Sequence, residues 1–321
     1  MKSLPLLVSS AALLLASCND SKLNVEEAPG TGSYPLTSAN AEATAAAAFT
    51  TAMNSVGLAD VGGVIGVSAT APGTNNKASA NRQYSGFLLN VLQKIPFGPD
   101  VYPCNSSGTI TISGDVADPF TLTAGDVFNI DANACDDGLG EVLDGLLSMT
   151  ITEFSGDLFQ QMYLLAMNAS LTALQVTTAT DVISNSGDTA VRLDTTAAPF
   201  ISASVSGISM TTSSMSSSET LRNYETVQTV DAGAQSYPYT LTSSGVLDST
   251  LLSNTVVFST PVPFAGFDID YPNSGEMLLQ AGSSTARLVA LNNIDVRIDI
   301  DSDGNGSVDE SILTTWAALL N

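Results

Sequence analysis

The sequence predicts a mainly β protein: an antiparallel sheet, barrel-like or sandwich, with an N-terminal helix and a short C-terminal helix. Three observations predict it. After Cys104 short segments alternate apolar and polar residues, the period of a half-buried strand. Small polar clusters separate them, as at Asn185-Ser186-Gly187-Asp188 and Asn273-Ser274-Gly275, and such residues suit tight turns. No long helical period falls between the strands, so the crossovers that parallel pairing needs are missing and antiparallel pairing remains.

Taken in order, the first element is a helix. From Ser38 the chain reads Ala-Glu-Ala-Thr-Ala-Ala-Ala-Ala-Phe to Phe49. Alanine has the best helix propensity and Ser38 or Asn40 can cap the start, so a helix to about Ser55 follows. Residues 57–80, rich in Gly, Ala and Asn, read as loop, and 86–94 as a short helix or strand before Pro96. Strand signals lie at 109–113, 128–132 and 147–154, then at 170–178, 189–194, 200–210, 224–230, 237–242, 246–258, 276–281 and 286–300. The Ser-rich stretch 211–218 reads as loop or edge. Residues 311–320 read as a terminal helix with Leu313, Trp316 and Leu320 on one face and Ile312 beside them. The lone tryptophan is expected to dock in the core.

Composition bounds the function. Nine basic residues face 32 acidic ones, for a formal charge of −23, and histidine is absent. Nucleic acid and anionic headgroups both require clustered Lys and Arg, so neither is an expected partner. Without histidine there is no Ser-His-Asp or Cys-His catalysis, and neither a G-x-S-x-G elbow nor a phosphate-binding glycine loop occurs. A carboxylate-based hydrolase such as a carbohydrate-active enzyme remains as the alternative, with Glu141, Glu153, Glu225 and Glu276 to test. A Ser-Lys pair would have to use Lys77 or Lys94, with no motif to support it. Hydrophobic residues make up 44% but aromatics only 6%. The core is therefore aliphatic, and the aromatic girdles of a membrane-spanning barrel are not supplied.

The first 18 residues carry one cation, Lys2, an apolar stretch over 4–15 and small residues up to Cys18. That is the order of a secretory signal, and the stretch is shorter than the ~20 residues of a membrane-spanning helix. Leu15-Ala16-Ser17-Cys18 resembles the lipobox of bacterial lipoproteins. The resemblance implies a signal peptide over 1–17 and lipidation of Cys18. It implies attachment to the lipid bilayer by acyl chains (palmitate among them), because two or three buried chains hold where one does so only marginally. Asn19 is not the aspartate of inner-membrane retention, which favours the outer membrane, on its periplasmic or surface face. Residues 18–35, punctuated by Pro29, Gly30, Gly32 and Pro35, read as a tether, and 36–321 as a single β-rich domain. With Cys18 lipidated, Cys104 and Cys135 are left as an even pair in an oxidising compartment and are expected to form a disulfide.

One constellation carries chemistry. Val296, Ile298 and Ile300 alternate into Asp301-Ser302-Asp303-Gly304-Asn305-Gly306-Ser307-Val308-Asp309-Glu310. From Asp301 the run resembles an EF-hand calcium loop over 301–312. Asp301, Asp303 and Asn305 supply oxygens at positions 1, 3 and 5, and the Ser307 carbonyl at position 7. Gly306 makes the turn at position 6, Val308 takes the apolar position 8, and Asp309 binds at position 9, directly or through water. Ile312 stands where the bidentate glutamate belongs, and the incoming element reads as strand. Asp299 and Glu310 are then further candidates for the vacant ligand places. A structural Ca2+ is the expected cofactor, and clustered carboxylates need such a cation to offset their repulsion. Asp131, Asn133, Asp136 and Asp137 around Cys135 form a weaker cluster, read as a polar turn. Together the lipobox and the calcium-type loop make the chain similar to β-rich lipoproteins of the Gram-negative envelope. That implies a non-catalytic structural or ligand-binding β domain, with the small-molecule or protein ligand left unnamed.

Overall fold

The computed structural model describes residues 35–59 and 99–320, apart from 119–120, 137, 139, 158–161, 180, 216, 235, 251, 253–254 and 268–269. The signal, Cys18 and nearly all of the tether therefore lie outside the described residues, as do 60–98 with Lys77 and Lys94.

Helix α1 (Ala41–Ala59) opens the described chain. It follows a turn in which Asn40 Oδ1 accepts from the Thr37 N–H at 2.8 Å. Ala41, Ala45, Ala48, Phe49, Ala52 and Met53 are buried at helical spacing, so a stripe of small residues lets the helix lie close to the sheet. The strands are β1 (Asp100–Pro103), β2 (Ser107–Asp115), β3 (Val127–Asp136), β4 (Val142–Asp157), β5 (Met162–Thr177), β6 (Val182–Asp194) and β7 (Phe200–Ser213). They continue as β8 (Ser218–Asp231), β9 (Pro238–Ser249), β10 (Thr255–Phe267), β11 (Ser274–Ala281), β12 (Ser284–Ala290), β13 (Asp295–Asp301) and β14 (Glu310–Thr315). Helix α2 (Trp316–Leu319) ends the fold.

Each strand pairs antiparallel with the next, giving one 14-stranded meander in sequence order. The expected fold class is therefore present. Short connections explain the order, since a hairpin turn leaves the next strand nowhere nearer to pair than its predecessor. Helix α1 touches β6, β7, β8 and β9, and also β12, β13 and α2. In a flat sheet β6 and β13 would stand about 34 Å apart, more than the roughly 28 Å length of a 19-residue helix. The sheet must curl about the helix. Its inner face is apolar: Met277 and Leu279, Ala286 and Leu288, and Val296, Ile298 and Ile300 are buried while their neighbours along each strand are less so. Among the described residues no ladder joins β1 to β14.

Three expectations are corrected. Residues 246–258 and 286–300 are not single strands. The first is divided between β9 and β10, and the second is broken by the turn at 291–294 between β12 and β13. Strand β10 also runs on through Pro261 and Pro263 to Phe267, where its ladders to β9 and β11 shift register. Proline offers no N–H, and a bulge is where a paired strand can tolerate one. The Ser-rich 211–218 holds the end of β7, to Ser213, and the start of β8, at Ser218, and of the described residues between them none is in a strand, in keeping with the loop or edge expected there. Finally, 311–315 is strand rather than helix. Ile298 stands opposite Ile312 and Arg297 opposite Leu313, so the ladder with β13 overrides the helical spacing. Leu313 shares the outward face of Arg297 and is 70% exposed.

Trp316 does dock. It is fully buried, its ring centroid lies 4.7 Å from that of Phe49 and 5.9 Å from that of Tyr271, and Nε1 donates to the Pro272 and Asn292 carbonyls. The start of the described chain is tied nearby: the Leu36 N–H donates to Ser284 Oγ at 2.7 Å. Buried residues from Leu36 to Leu319 form one continuous cluster. No helix among the described residues is long and apolar enough to cross a membrane.

Candidate metal centre

Strand β13 delivers Asp301 to the end of the sheet, opposite Thr285 of β12, and the chain turns over it before returning as β14. Asp301 is only 8% exposed. Its carboxylate organises the loop: Oδ1 accepts from the Gly304 N–H at 2.8 Å and the Asn305 N–H at 3.1 Å, and Oδ2 accepts from the Gly306 N–H at 2.8 Å. Three backbone donors on one carboxylate require a chain folded tightly around it. Gly304 (φ 74°) and Gly306 (φ 88°) supply the left-handed residues for that fold. Gly304 also lies against the backbone of Ser283 in the β11–β12 turn, so closely that a Cβ there would collide with the Ser283 carbonyl.

The remaining oxygens fall into place around Asp301. Asp303 Oδ1 accepts from the Asn305 N–H at 3.0 Å, and Asn305 Oδ1 accepts from the Ser307 N–H at 2.8 Å. Asp309 Oδ2 accepts from the Ser302 hydroxyl at 2.6 Å and the Ser302 N–H at 2.9 Å, and these bonds hold its carboxyl below the usual carboxylate range. One carboxylate oxygen each from Asp301, Asp303 and Asp309 lies within 4.8 Å of the others. Two ligands facing each other across Ca2+ at about 2.3–2.6 Å would be separated by about that span. None of the four ion pairs among the described residues involves these three acids. The donor set is hard and oxygen-only, which suits Ca2+ or Mg2+ and no soft metal.

The two further candidates are not brought in. Asp299 is engaged elsewhere: Oδ2 accepts from Arg297 at 2.8 Å and Oδ1 from the Ser311 hydroxyl at 2.7 Å. Burial would raise its carboxyl, but those bonds, with the charges of Arg297 and Arg287, outweigh burial and hold it low. Glu310 stands opposite Ile300, whose side chain is buried on the inner face. Cross-strand partners share a face, so Glu310 leaves the strand on the side away from Asp299 and Ser311. Ile312 pairs with Ile298, and Val308 is 59% exposed. The arrangement is thus a β-hairpin loop closed by Asp309, without the flanking helices of an EF-hand.

Elsewhere, Cys104 and Cys135 are joined as a disulfide, with Cα atoms 5.5 Å apart. The bridge ties the β1–β2 connection to β3, beside a bulge where Gly108 (φ 80°) meets the Ala134 backbone. Asp131, Asn133 and Asp136 belong to strand β3 and not to a turn, and Asp137 lies outside the described residues. The four glutamates named for a hydrolase lie on or beside three different strands. Glu153 pairs with Arg192 and Glu276 with Arg287, Glu225 is exposed on β8, and Glu141 precedes β4. No signal in the sequence marks the Ser283 contact, which depends on the β11–β12 turn lying beside the loop. No protein-family model, curated protein or solved structure matches this chain.

Proposed function

We propose that the chain is a lipid-anchored protein of the bacterial envelope, outer membrane favoured, whose curled sheet is a non-catalytic structural or ligand-binding body stiffened at its C-terminal hairpin by Ca2+. The observation that supports the calcium reading is the convergence of Asp301, Asp303 and Asp309 oxygens within 4.8 Å, on a loop whose glycines turn where the ligand pattern needs them. Asp301, Asp303 and Asp309 would hold the ion through carboxylates, with Asn305 and the Ser307 carbonyl completing the oxygen set. The ion would cross-link β13 to β14 at the last hairpin, where β14 pairs with β13 alone among the described residues. Support for the anchor lies in the order Lys2, apolar 4–15 and Leu15-Ala16-Ser17-Cys18. The acidic balance fits a protein bathed in external cations and facing no nucleic acid.

Calorimetric titration of the EGTA-treated protein with CaCl2 tests the cation. Heat of binding and a raised melting temperature are expected, and both vanish in Asp301→Asn. No heat and an unchanged melting temperature would sink it. The anchor is tested separately by mass spectrometry of the membrane-extracted protein: a diacylglyceryl adduct on Cys18 is expected, and an unmodified, uncleaved N-terminus excludes it.

A further inference from the structure

The loop around Asp301 also contains the sequence's single Asn-Gly pair, Asn305-Gly306. In such a pair the backbone nitrogen after the asparagine can attack the side-chain amide, because glycine has no Cβ to obstruct the approach. Here each reacting group has a partner suited to that attack. The nucleophile, Gly306 N, donates to Asp301 Oδ2 at 2.8 Å, placing a carboxylate base on the proton that must leave. Asn305 Oδ1, where negative charge develops, accepts from the Ser307 N–H at 2.8 Å, the arrangement of an oxyanion donor. The departing nitrogen, Asn305 Nδ2, is held by Asp303 Oδ2 at 2.9 Å. Asn305 is exposed, and nothing stands within 4 Å of the open side of Gly306.

We propose that Asn305 is a self-modification site, converted by its own loop to aspartate and isoaspartate. Gly306 N bonds to Cγ of Asn305, and the Cγ–Nδ2 bond breaks. The proton from Gly306 N passes by way of the Asp301 carboxylate to the departing nitrogen, which leaves as ammonia. Water then opens the cyclic imide at either carbonyl, so one water enters for each ammonia lost and no oxidant or reductant is needed. The neighbouring Asp303-Gly304 pair has the same framing, with the Gly304 N–H on Asp301 Oδ1 at 2.8 Å and the Asn305 N–H on Asp303 Oδ1 at 3.0 Å. Asp303 has no side-chain nitrogen to lose as ammonia, so the chemistry is confined to Asn305. The aspartate product adds a carboxylate to the loop, while the isoaspartate product lengthens the backbone by a methylene and pulls Gly306 N off Asp301. Either product changes the oxygen set offered to a cation. The modification stands whether or not a cation binds.

The test is peptide mass spectrometry of the full chain held at neutral pH in EDTA, beside an identical sample unfolded in urea. Conversion at Asn305 is expected at least about tenfold faster in the folded sample, below the ~100-fold or more that a positioned base supplies. The Asn-Ser pairs at Asn185 and Asn273 should change little, and Asn305→Gln should remain unmodified at that position. A folded rate equal to or slower than the unfolded one overturns the proposal. Repeating the folded incubation with CaCl2 separates the two readings. If Asn305 converts in EDTA, slowing by Ca2+ also supports the cation site, and an unchanged rate counts against that site alone.

Discussion

Two acidic stretches look alike on paper and behave differently in space. In 131–136 and in 299–309, acids or amides alternate with other residues near small or glycine turns. In the first, the alternation is carried by a strand, so Asp131 and Asn133 project outward along β3 and a disulfide at Cys135 does the fastening. In the second, the strand stops at Asp301 and the chain wraps back over that carboxylate through Gly304 and Gly306. The density of carboxylates is comparable, yet the second stretch alone gathers three of them within 4.8 Å among the described residues. A strand keeps successive side chains on alternate faces and apart, whereas a turn with left-handed residues can aim several at one point. Turn geometry, more than charge count, makes the site.

The contrast can be broken at either end. The largest effect is expected from Trp316→Ala, which removes the fully buried ring anchoring the chain just beyond the acidic hairpin. A loss of about 3–5 kcal/mol in urea unfolding is expected, and a change below about 1 kcal/mol would show that the ring is not part of the core. Next comes the covalent fastening. Cys104→Ser with Cys135→Ser opens a loop with a sequence separation of 31, and the chain-entropy model gives about 3.5 kcal/mol of lost stability. The same loss should follow reduction of the wild type by dithiothreitol.

A cation effect of about 2.7 kcal/mol is expected with CaCl2 at a hundred times its dissociation constant. It should disappear in Asp301→Asn and persist in Asp131→Asn. A calcium response that Asp131→Asn abolishes would reverse the assignment of the two stretches.

Acid sharpens the comparison further, because each region holds a carboxyl below its ordinary value of 3.8. For Asp126, just before β3, burial would raise it, but the Ala117 and Thr123 N–H groups and the Thr123 hydroxyl outweigh burial. For Asp309 the Ser302 hydroxyl and N–H are the main cause. A depressed folded value means the unfolded chain binds protons first. Both contributions are therefore fully present above pH 3.8 and fade as the pH falls below it through the folded values. Thr123→Ala and Ser302→Ala should each flatten that acid limb, read as melting temperature against pH. The smallest effect is expected from Asp131→Asn in stability, within about 0.5 kcal/mol, as for a surface site without special contacts.

Much of this was legible before any coordinates. The period-2 runs at 109–113, 128–132, 147–154 and 276–281 all fall in strands, because an apolar face must alternate to be buried on one side of a sheet. The turn at Gly306 was legible too, since glycine reaches the left-handed conformation that the turn adopts there. The misreadings share one cause. In Ser311-Ile312-Leu313-Thr314-Thr315 the apolar residues fit a helical face, but β13 was available as a ladder partner and tertiary pairing outweighed local spacing. Strand β10 was hidden by Pro261 and Pro263, whose lack of an N–H is accommodated by register shifts that no local pattern announces.

By itself, then, the sequence determined what depends on neighbours along the chain: the alternation that makes strands, the glycines that make the acidic turn, the absence of histidine chemistry, and the charge. Only the tertiary structure decided which acids meet. Asp309 joins Asp301 and Asp303 because the hairpin closes back on itself, Asp299 is taken by Arg297 and Ser311, and Glu310 is turned away by the register that sets it opposite Ile300. A one-residue slip of β14 would exchange those faces. Register is a property of two strands together, fixed by the burial of Ile298 and Ile300 and the docking of Trp316, and no single stretch of sequence contains it.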